Sequence, residues 1–161
     1  MKTKEEHIKT TIKPSFYINT IDFEDTFSTI NHKDSLESIT RLVFATMPKW
    51  VEGLMKLRNV MVKLIGLSSE KPKDYNESFA VGGYIGFFKI MNLSETEIVM
   101  GADDDHLNFR AVISLQPSLT YNVFVTTLVE YNNKKGKVYM NIIKPFHRLV
   151  VRRMVKQAYK N

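Results

Sequence analysis

The spacing of apolar residues divides the chain into segments with strand periodicity and segments with helical periodicity. Residues 16–31 are rich in aromatic and β-branched residues that alternate in part with polar ones, which predicts a strand. Residues 1–13 are polar and charged without periodicity, so we expect a flexible N-terminal tail. The remaining residues, 14–161, are expected to form a single domain, because a chain of 161 residues suits one domain.

Two short helices are predicted in tandem after this first strand. Asp34 or Ser35 suits the N-cap of the first helix, and apolar residues then recur at helical spacing. Pro48 ends this helix or opens the next one, because proline lacks an amide donor but suits a first helical turn. Apolar residues at helical spacing over residues 50–65 mark the second helix.

Strand periodicity returns after a polar loop and changes once more near the C-terminus. Strand-like segments separated by short polar turns predict an antiparallel meander over residues 79–91, 96–101, 106–116 and 119–131. Apolar residues then recur at every fourth position, which predicts one long helix over residues 134–159 with a kink at Pro145. Because strands and helices are segregated along the chain, we predict an α+β fold in which a curved antiparallel sheet wraps the long C-terminal helix.

Positive charge is concentrated in the predicted C-terminal helix. Residues 134–161 contain nine lysines and arginines and no acid, and the rest of the chain has 14 bases against 17 acids. A solvated basic helix face explains this most simply, and contact with an anionic membrane surface is the second interpretation. Apart from charge no nucleic-acid motif is found, so we expect no nucleic-acid partner and a weak membrane contact through this helix.

The composition excludes several kinds of site. The chain has no cysteine, which rules out disulfides, thiolate catalysis and cysteine-ligated zinc, and fits a reducing compartment. The N-terminus lacks the apolar core of a secretory signal, and no apolar run approaches the ~20 residues of a membrane span. No dinucleotide fingerprint, metalloprotease motif or nucleophile elbow occurs. We therefore expect a cytoplasmic protein without a cofactor.

The stretch GADDDHLNFR, residues 101–110, places three aspartates and a histidine at the start of a predicted strand. Since alternate residues of a strand share a face, Arg110 falls in a polar column opposite the apolar column that contains Phe109. One histidine beside carboxylates is a weak metal signal, so we expect no metal here. The expected turn residues are Asp103, Asp104 and His106. Arg110 remains the best anchor for an anionic group if the faces are reversed.

Two local motifs resemble those of a known family. One is D-D-x-H-L-x-F-R, at residues 103–110, and the other is P-F-H-R-L-V-V-R-R-M, at residues 145–154. Together they resemble a bacterial family of uncharacterised proteins, domain-of-unknown-function family 2867, within the START-like and birch-pollen-allergen-like helix-grip superfamily (SRPBCC). The resemblance implies a helix-grip fold with a ligand pocket, and it implies no catalytic residues.

The predicted function is the binding of a small hydrophobic or amphipathic molecule in a cavity between the sheet and the long helix. An enzyme acting on a polyketide- or lipid-like substrate and an interaction domain with a filled core remain as alternatives. His147, in the long helix, is expected to be a structural hydrogen-bonding residue. The predicted ligand-binding residues are aromatic apart from one arginine: Trp50, Tyr84, Phe88, Phe109, Arg110, Tyr121 and Phe146.

Overall fold

A computed structural model describes residues 1–6, 18–45, 74–86 and 88–160. Seven strands and two helices follow in this order: β1 (Lys4–Glu6), β2 (Phe23–Thr29), α1 (Leu36–Phe44), β3 (Tyr84–Ile85), β4 (Phe88–Leu93), β5 (Glu97–Asp103), β6 (Leu107–Leu115), β7 (Val123–Tyr131) and α2 (Lys134–Gln157). This order confirms the predicted α+β class.

The seven strands form one antiparallel sheet in the order β1-β2-β7-β6-β5-β4-β3. Strands β3 to β7 are paired in sequence order, which confirms the predicted meander. Strand β2 pairs with β7, so the first long strand lies beside the last one in the chain. The polar and apolar columns of β6 therefore extend across neighbouring strands to form two distinct faces of the sheet.

One face of the sheet packs directly against the two helices. Its main core joins Ile113 of β6 and Val125 of β7 to Ile39 of α1 and to Met154 and Val155 of α2. The opposite face has a smaller apolar cluster, in which Ile18 covers residues of the central strands. The apolar column of β6 thus faces the helices, as its periodicity predicts.

Helix α1 starts where its capping chemistry predicts. The Ser35 side chain accepts a hydrogen bond from the Ser38 amide, and Leu36 and Val43 are buried on the inner face. The helix ends at the cap residue Ala45, and between β2 and β3 it is the one helix in the described part of the chain. The second predicted helix, over residues 50–65, lies outside the described residues.

Helix α2 runs through 24 residues and contains Pro145 within its length. Its N-cap is Asn133, whose side chain accepts a hydrogen bond from the Gly136 amide. Pro145 is exposed, so its ring meets solvent rather than the sheet. Its 24 residues give α2 a length of about 36 Å, which is enough to cross the sheet from β7 towards α1.

Strand β1 lies in the segment for which the polar composition predicts a flexible tail. It pairs with β2 at the sheet edge, and the Ser28 hydroxyl donates a 2.6 Å hydrogen bond to Glu6 Oε1. The Thr29 hydroxyl donates to the Lys2 carbonyl, also at 2.6 Å. These backbone and polar contacts require no apolar alternation, so the hydrophobic pattern cannot reveal this strand. For residues 4–6 the predicted tail is wrong.

Candidate functional site

The GADDDHLNFR stretch forms the β5–β6 hairpin and its turn. Asp104 Oδ1 accepts hydrogen bonds from the amides of His106 at 2.7 Å and Leu107 at 3.0 Å, which closes the turn. The His106 ring nitrogen Nδ1 lies 2.9 Å from the Asn133 side-chain amide. The turn is thus tied to the start of α2, so Asp104 and His106 have structural partners.

Asp103 pairs with Arg110 instead of bonding to the turn amides. Both carboxylate oxygens of Asp103 accept hydrogen bonds from the Arg110 guanidinium. Gly101 stands directly across from Arg110 in the sheet register. A Cβ at Gly101 would meet the Arg110 side chain and the Phe109 carbonyl, so glycine leaves the path that the guanidinium follows to Asp103.

Arg110 lies on the sheet face away from the helices, so it does not line the space beneath α2. It shares that face with Val112 and Leu128, and it is buried. The strand periodicity assigned it to that face, and the reversed orientation in which it would anchor a ligand under the helix is not observed. Within the described residues no group of three or more histidine, cysteine, aspartate or glutamate side chains could hold a metal ion.

An aromatic cleft opens between α1 and β3. It has a volume of about 310 Å³ and is lined by Arg41, Phe44, Ala45, Tyr75, Glu77, Tyr84, Ile85 and Gly86. The Tyr75 and Tyr84 ring centroids lie 5.3 Å apart, and Phe44 and Ile85 contribute apolar groups to the same lining. We call this the aromatic cleft; it combines apolar walls with two charged side chains, Arg41 and Glu77.

A line of aromatic rings continues from the aromatic cleft onto the helix-facing side of the sheet. The Phe44 and Phe88 rings are 5.6 Å apart, and the Phe88 and Phe109 rings are 5.2 Å apart. Both Phe88 and Phe109 are half-buried and pack against the main core. The structure therefore brings together two of the predicted ligand residues, Phe88 and Phe109, whereas Tyr84 is paired with Lys89 and lies on the other face of β3.

The other predicted ligand residues lie elsewhere. The Tyr121 hydroxyl donates a 2.7 Å hydrogen bond to the Met1 carbonyl, away from the aromatic cleft. Phe146 is 45% exposed on the outer side of α2. Trp50 lies outside the described residues. Helical and strand periodicity could assign these residues to elements, but it could not show which elements lie close together.

The side chains of Tyr84, Asp74 and Lys89 form a polar network that fixes Tyr84 in the aromatic cleft. Its hydroxyl donates to Asp74 Oδ1 at 3.0 Å, and Lys89 Nζ lies 2.6 Å from Asp74 Oδ2. The hydrogen bond from Lys89, followed by that from Tyr84, lowers the pKa of Asp74 below its ordinary value. Burial and the neighbouring Asp74 raise the pKa of Tyr84, and Asp74 also raises the pKa of Lys89. The phenol therefore stays protonated and oriented at neutral pH.

A second polar cluster lies beneath α2. Asp25 of β2 has a side chain that is 1% exposed, and among the described residues neither carboxyl oxygen has a hydrogen-bond partner. His147 Nε2 lies 3.5 Å from Asp25 Oδ2 and 3.2 Å from the Thr127 hydroxyl. Phe23 packs its ring against the imidazole at 5.7 Å. A carboxyl group, an imidazole and a hydroxyl therefore lie together between the sheet and α2.

Asp25 is not among the site residues predicted from the sequence. The sequence does contain a signal for it: Asp25 stands between Phe23 and Phe27 at alternate strand positions, and a charged residue in such a setting is unusual. Phe44, Tyr75 and Ile85 of the aromatic cleft were also missed. Their separation along the chain hides the cleft, because α1 and β3 become neighbours only in the folded protein.

A basic cleft opens at the N-terminal half of α2. It has a volume of about 420 Å³ and is lined by Asp22, Tyr131, Asn133, Lys134, Lys137, Asn141 and Lys144. The Lys144 ammonium group lies over the rings of Phe23, at 5.4 Å, and Tyr131, at 5.9 Å. Six of its seven lining residues carry charged or amide side chains, so it suits an apolar molecule less well than the aromatic cleft does.

In the described part of the chain, no helix is both long and apolar enough to cross a membrane.

A model of the family DUF2867, described as a protein of unknown function, matches residues 17–154. No curated protein and no solved structure matches the chain. The family match covers most of the chain and confirms the resemblance carried by the hairpin and C-terminal motifs. The protein therefore belongs to the DUF2867 family.

Proposed function

We propose that this domain binds a small hydrophobic or amphipathic molecule in the aromatic cleft. The observation that carries this proposal is a cleft of about 310 Å³ with three aromatic rings and Ile85 in its walls. Small-molecule sites typically occupy about 300–1,000 Å³, with apolar walls and a few polar groups that orient the ligand. The apolar part of the ligand would contact Phe44 and Tyr75, while its polar end would reach Arg41 or Glu77 at the rim.

The architecture supports placing this domain in the helix-grip superfamily. A seven-stranded antiparallel sheet with a long C-terminal helix packed on one face is the arrangement expected of that fold. However, the C-terminal half of α2 packs against the main core through Val151, Met154 and Val155. We therefore propose a ligand site at the α1–β3 end of the sheet, extending along Phe88 and Phe109, rather than beneath the middle of the long helix.

The ends of the segment comprising residues 46–73 also favour this site. Ala45 lines the aromatic cleft, and Asp74 bonds to the hydroxyl of Tyr84 within it. The described residues on either side of this segment therefore both lie at the cleft. Trp50, which is outside the described residues, remains a proposed ligand residue.

A fluorescence titration with a naphthalene-sulfonate dye, followed by displacement with a long-chain fatty acid, tests this proposal. Tyr75→Ala removes a half-buried ring from the cleft wall, and we expect it to weaken dye binding about tenfold, since a lost aromatic contact is worth about 1–2 kcal/mol. Tyr121→Ala is the matched control, because Tyr121 is also a half-buried tyrosine but bonds to Met1 far from the cleft.

Equal affinities of the two variants would place the dye outside the aromatic cleft. If neither dye nor fatty acid binds wild-type protein, the interaction domain with a filled core becomes the better account. Thermal melting of both variants, monitored by circular dichroism, separates a lost ligand contact from a lost fold.

The buried cluster of Asp25, His147 and Thr127 favours an enzyme as the second candidate function. A histidine between a carboxyl group and a hydroxyl can act as a general acid or base on a bound molecule. Native mass spectrometry of wild-type and Asp25→Asn proteins, each as purified, tests this candidate. An enzyme predicts that the variant retains a substrate of different mass from the molecule retained by the wild type. Identical small molecules in both proteins would favour a binding function without catalysis.

A further inference from the structure

The outer side of α2 has an apolar surface where an amphipathic helix normally presents polar residues to solvent. Val138 is 59% exposed, Ile142 and Leu149 are each 49% exposed, and Phe146 is 45% exposed. With about 100° between successive residues, these four side chains fall within an arc of about 80°. Buried Met140 and Met154 lie on the opposite side of the helix. We call the four exposed residues the outer stripe.

Basic residues lie near the outer stripe on the same helix. Helix α2 contains no acid, and its bases lie at both ends and along one flank of the stripe: Lys134, Lys135, Lys137, Lys144, Arg148, Arg152, Arg153 and Lys156. From outside the helix, Glu5 of β1 approaches Arg148 at 3.7 Å. A solvated basic face would explain the charges, but it would leave four large apolar side chains exposed and uncovered by any described part of the chain.

We propose that the outer stripe and its surrounding bases dock this domain on an anionic membrane surface. The stripe extends over twelve residues, from Val138 to Leu149, or about 17 Å along the axis, so α2 can lie flat with Ile142 and Phe146 against the acyl boundary. The bases at both ends then meet anionic headgroups. Apolar burial and charge attraction act together in this mode, which is how interfacial helices bind.

The charge distribution disfavours a second copy of this chain as the partner. A symmetric interface through α2 would bring two outer stripes together, and with them two sets of bases on helices that contain no acid. A nucleic acid would satisfy the charges, but its phosphates would gain nothing from exposed valine, isoleucine, phenylalanine and leucine side chains. An anionic lipid surface satisfies both components of the patch.

Co-sedimentation with vesicles tests this docking. The vesicles contain phosphatidylcholine alone or with about one third phosphatidylserine, a fraction that gives the negative surface potential of a cytoplasmic leaflet. We expect wild-type protein to bind the anionic vesicles at low salt and to dissociate as salt rises, because screening weakens the attraction. Ile142→Glu should lower the partition coefficient about tenfold or more, since it places a charge in the apolar contact.

Matched controls come from two other exposed apolar residues, Val81 and Leu119, which are 63% and 44% exposed. Val81→Glu and Leu119→Glu change the net charge by the same amount, and we expect them to change partitioning less than about twofold if the contact is local. The double variant Arg152→Gln with Arg153→Gln should lower binding to anionic vesicles about tenfold or more, because each base contributes about fivefold.

Several outcomes would overturn the proposal. Equal binding by Ile142→Glu and Val81→Glu would show that the outer stripe does not touch the lipid. A much larger loss of melting temperature in Ile142→Glu than in the controls would mean that the protein itself covers the stripe. A concentration-dependent dimer that Ile142→Glu dissociates, or binding to nucleic acid without binding to vesicles, would assign this face to a different partner.

Discussion

At the residue scale, the position of Tyr84 in the aromatic cleft depends on the Asp74 carboxylate, which bonds to a phenol and to an ammonium group. Lys89 and Tyr84 both bond to its carboxylate, and the pKa of Asp74 is lowered while those of Tyr84 and Lys89 are raised. A lowered acid pKa contributes stability that is present above the unfolded value of 3.8 and is lost as pH falls through the folded pKa. The pKa values of Tyr84 and Lys89 are raised above their unfolded values of 10.0 and 10.5, respectively. Each group therefore contributes stability that is present below its unfolded pKa and is lost as pH rises through its folded pKa.

Asp74→Asn should therefore change the pH dependence of stability at both extremes. We expect its melting temperature to fall below that of the wild type across the neutral range, and the difference to shrink below pH ~4 and above pH ~10. Melting curves from pH ~3 to pH ~11 provide the measurement, with Glu95→Gln on the exposed β4–β5 turn as the control. A difference that stays constant over the whole range would show that this network does not titrate with folding.

Individual side-chain partners were the least predictable feature of the sequence. The face of Arg110 followed from strand alternation, but its pairing with Asp103 depends on the space left by Gly101. Likewise, the proximity of Asp25 to His147 depends on how α2 crosses β2 and β7. Periodicity determines which way a residue points, and long-range packing determines what it meets.

At the element scale, the N-terminus of α2 is joined to the β5–β6 hairpin. Asn133 caps the helix through Gly136, and its side-chain amide donates to the Asp105 carbonyl at 2.7 Å and contacts the His106 ring at 2.9 Å. A Cβ at Gly136 would overlap the His106 carbonyl, so the helix start and the hairpin approach each other closely. The hairpin motif and the C-terminal helix are therefore parts of one structural unit.

Asn133→Ala should destabilise this unit by about 1–2 kcal/mol, because it removes the N-cap and both contacts to the hairpin. Asn133→Asp should destabilise it less, because a carboxylate still caps the helix and interacts favourably with the positive end of the helix dipole. Asn141→Ala, an exposed asparagine within the same helix, is the control and should change stability by less than about 0.5 kcal/mol. Chemical denaturation measures all three. If Asn133→Ala matched the control, the hairpin would not depend on the cap.

Elements with strong periodicity or capping signals were predicted well. Helix α1 begins after Ser35, and the four meander segments appear as β3 to β7 with shifts of a few residues at their ends. The edge strand β1 was not predicted, because its contacts are made by backbone and polar groups. A turn at Gly86, which adopts a φ of 61°, divides into β3 and β4 what the pattern presents as one strand-like segment.

At the scale of the whole molecule, the two proposed functions occupy different surfaces. The aromatic cleft lies between α1 and β3, whereas the outer stripe lies on the exposed side of α2. The class of fold could be predicted from element order, but the position of the cleft could not, because it depends on how the sheet end meets α1. Ligand binding and membrane docking can therefore fail independently under mutation.

Photolabelling with a diazirine-bearing fatty acid, mapped by peptide mass spectrometry, tests the proposed ligand site most directly. We expect the label to concentrate on the peptides that line the aromatic cleft, around Phe44 and over residues 75–86. We expect Tyr75→Ala to reduce this labelling and Tyr121→Ala to leave it unchanged. Label confined to the outer stripe of α2, or spread evenly over the surface, would contradict the claim that the cleft between α1 and β3 binds the ligand.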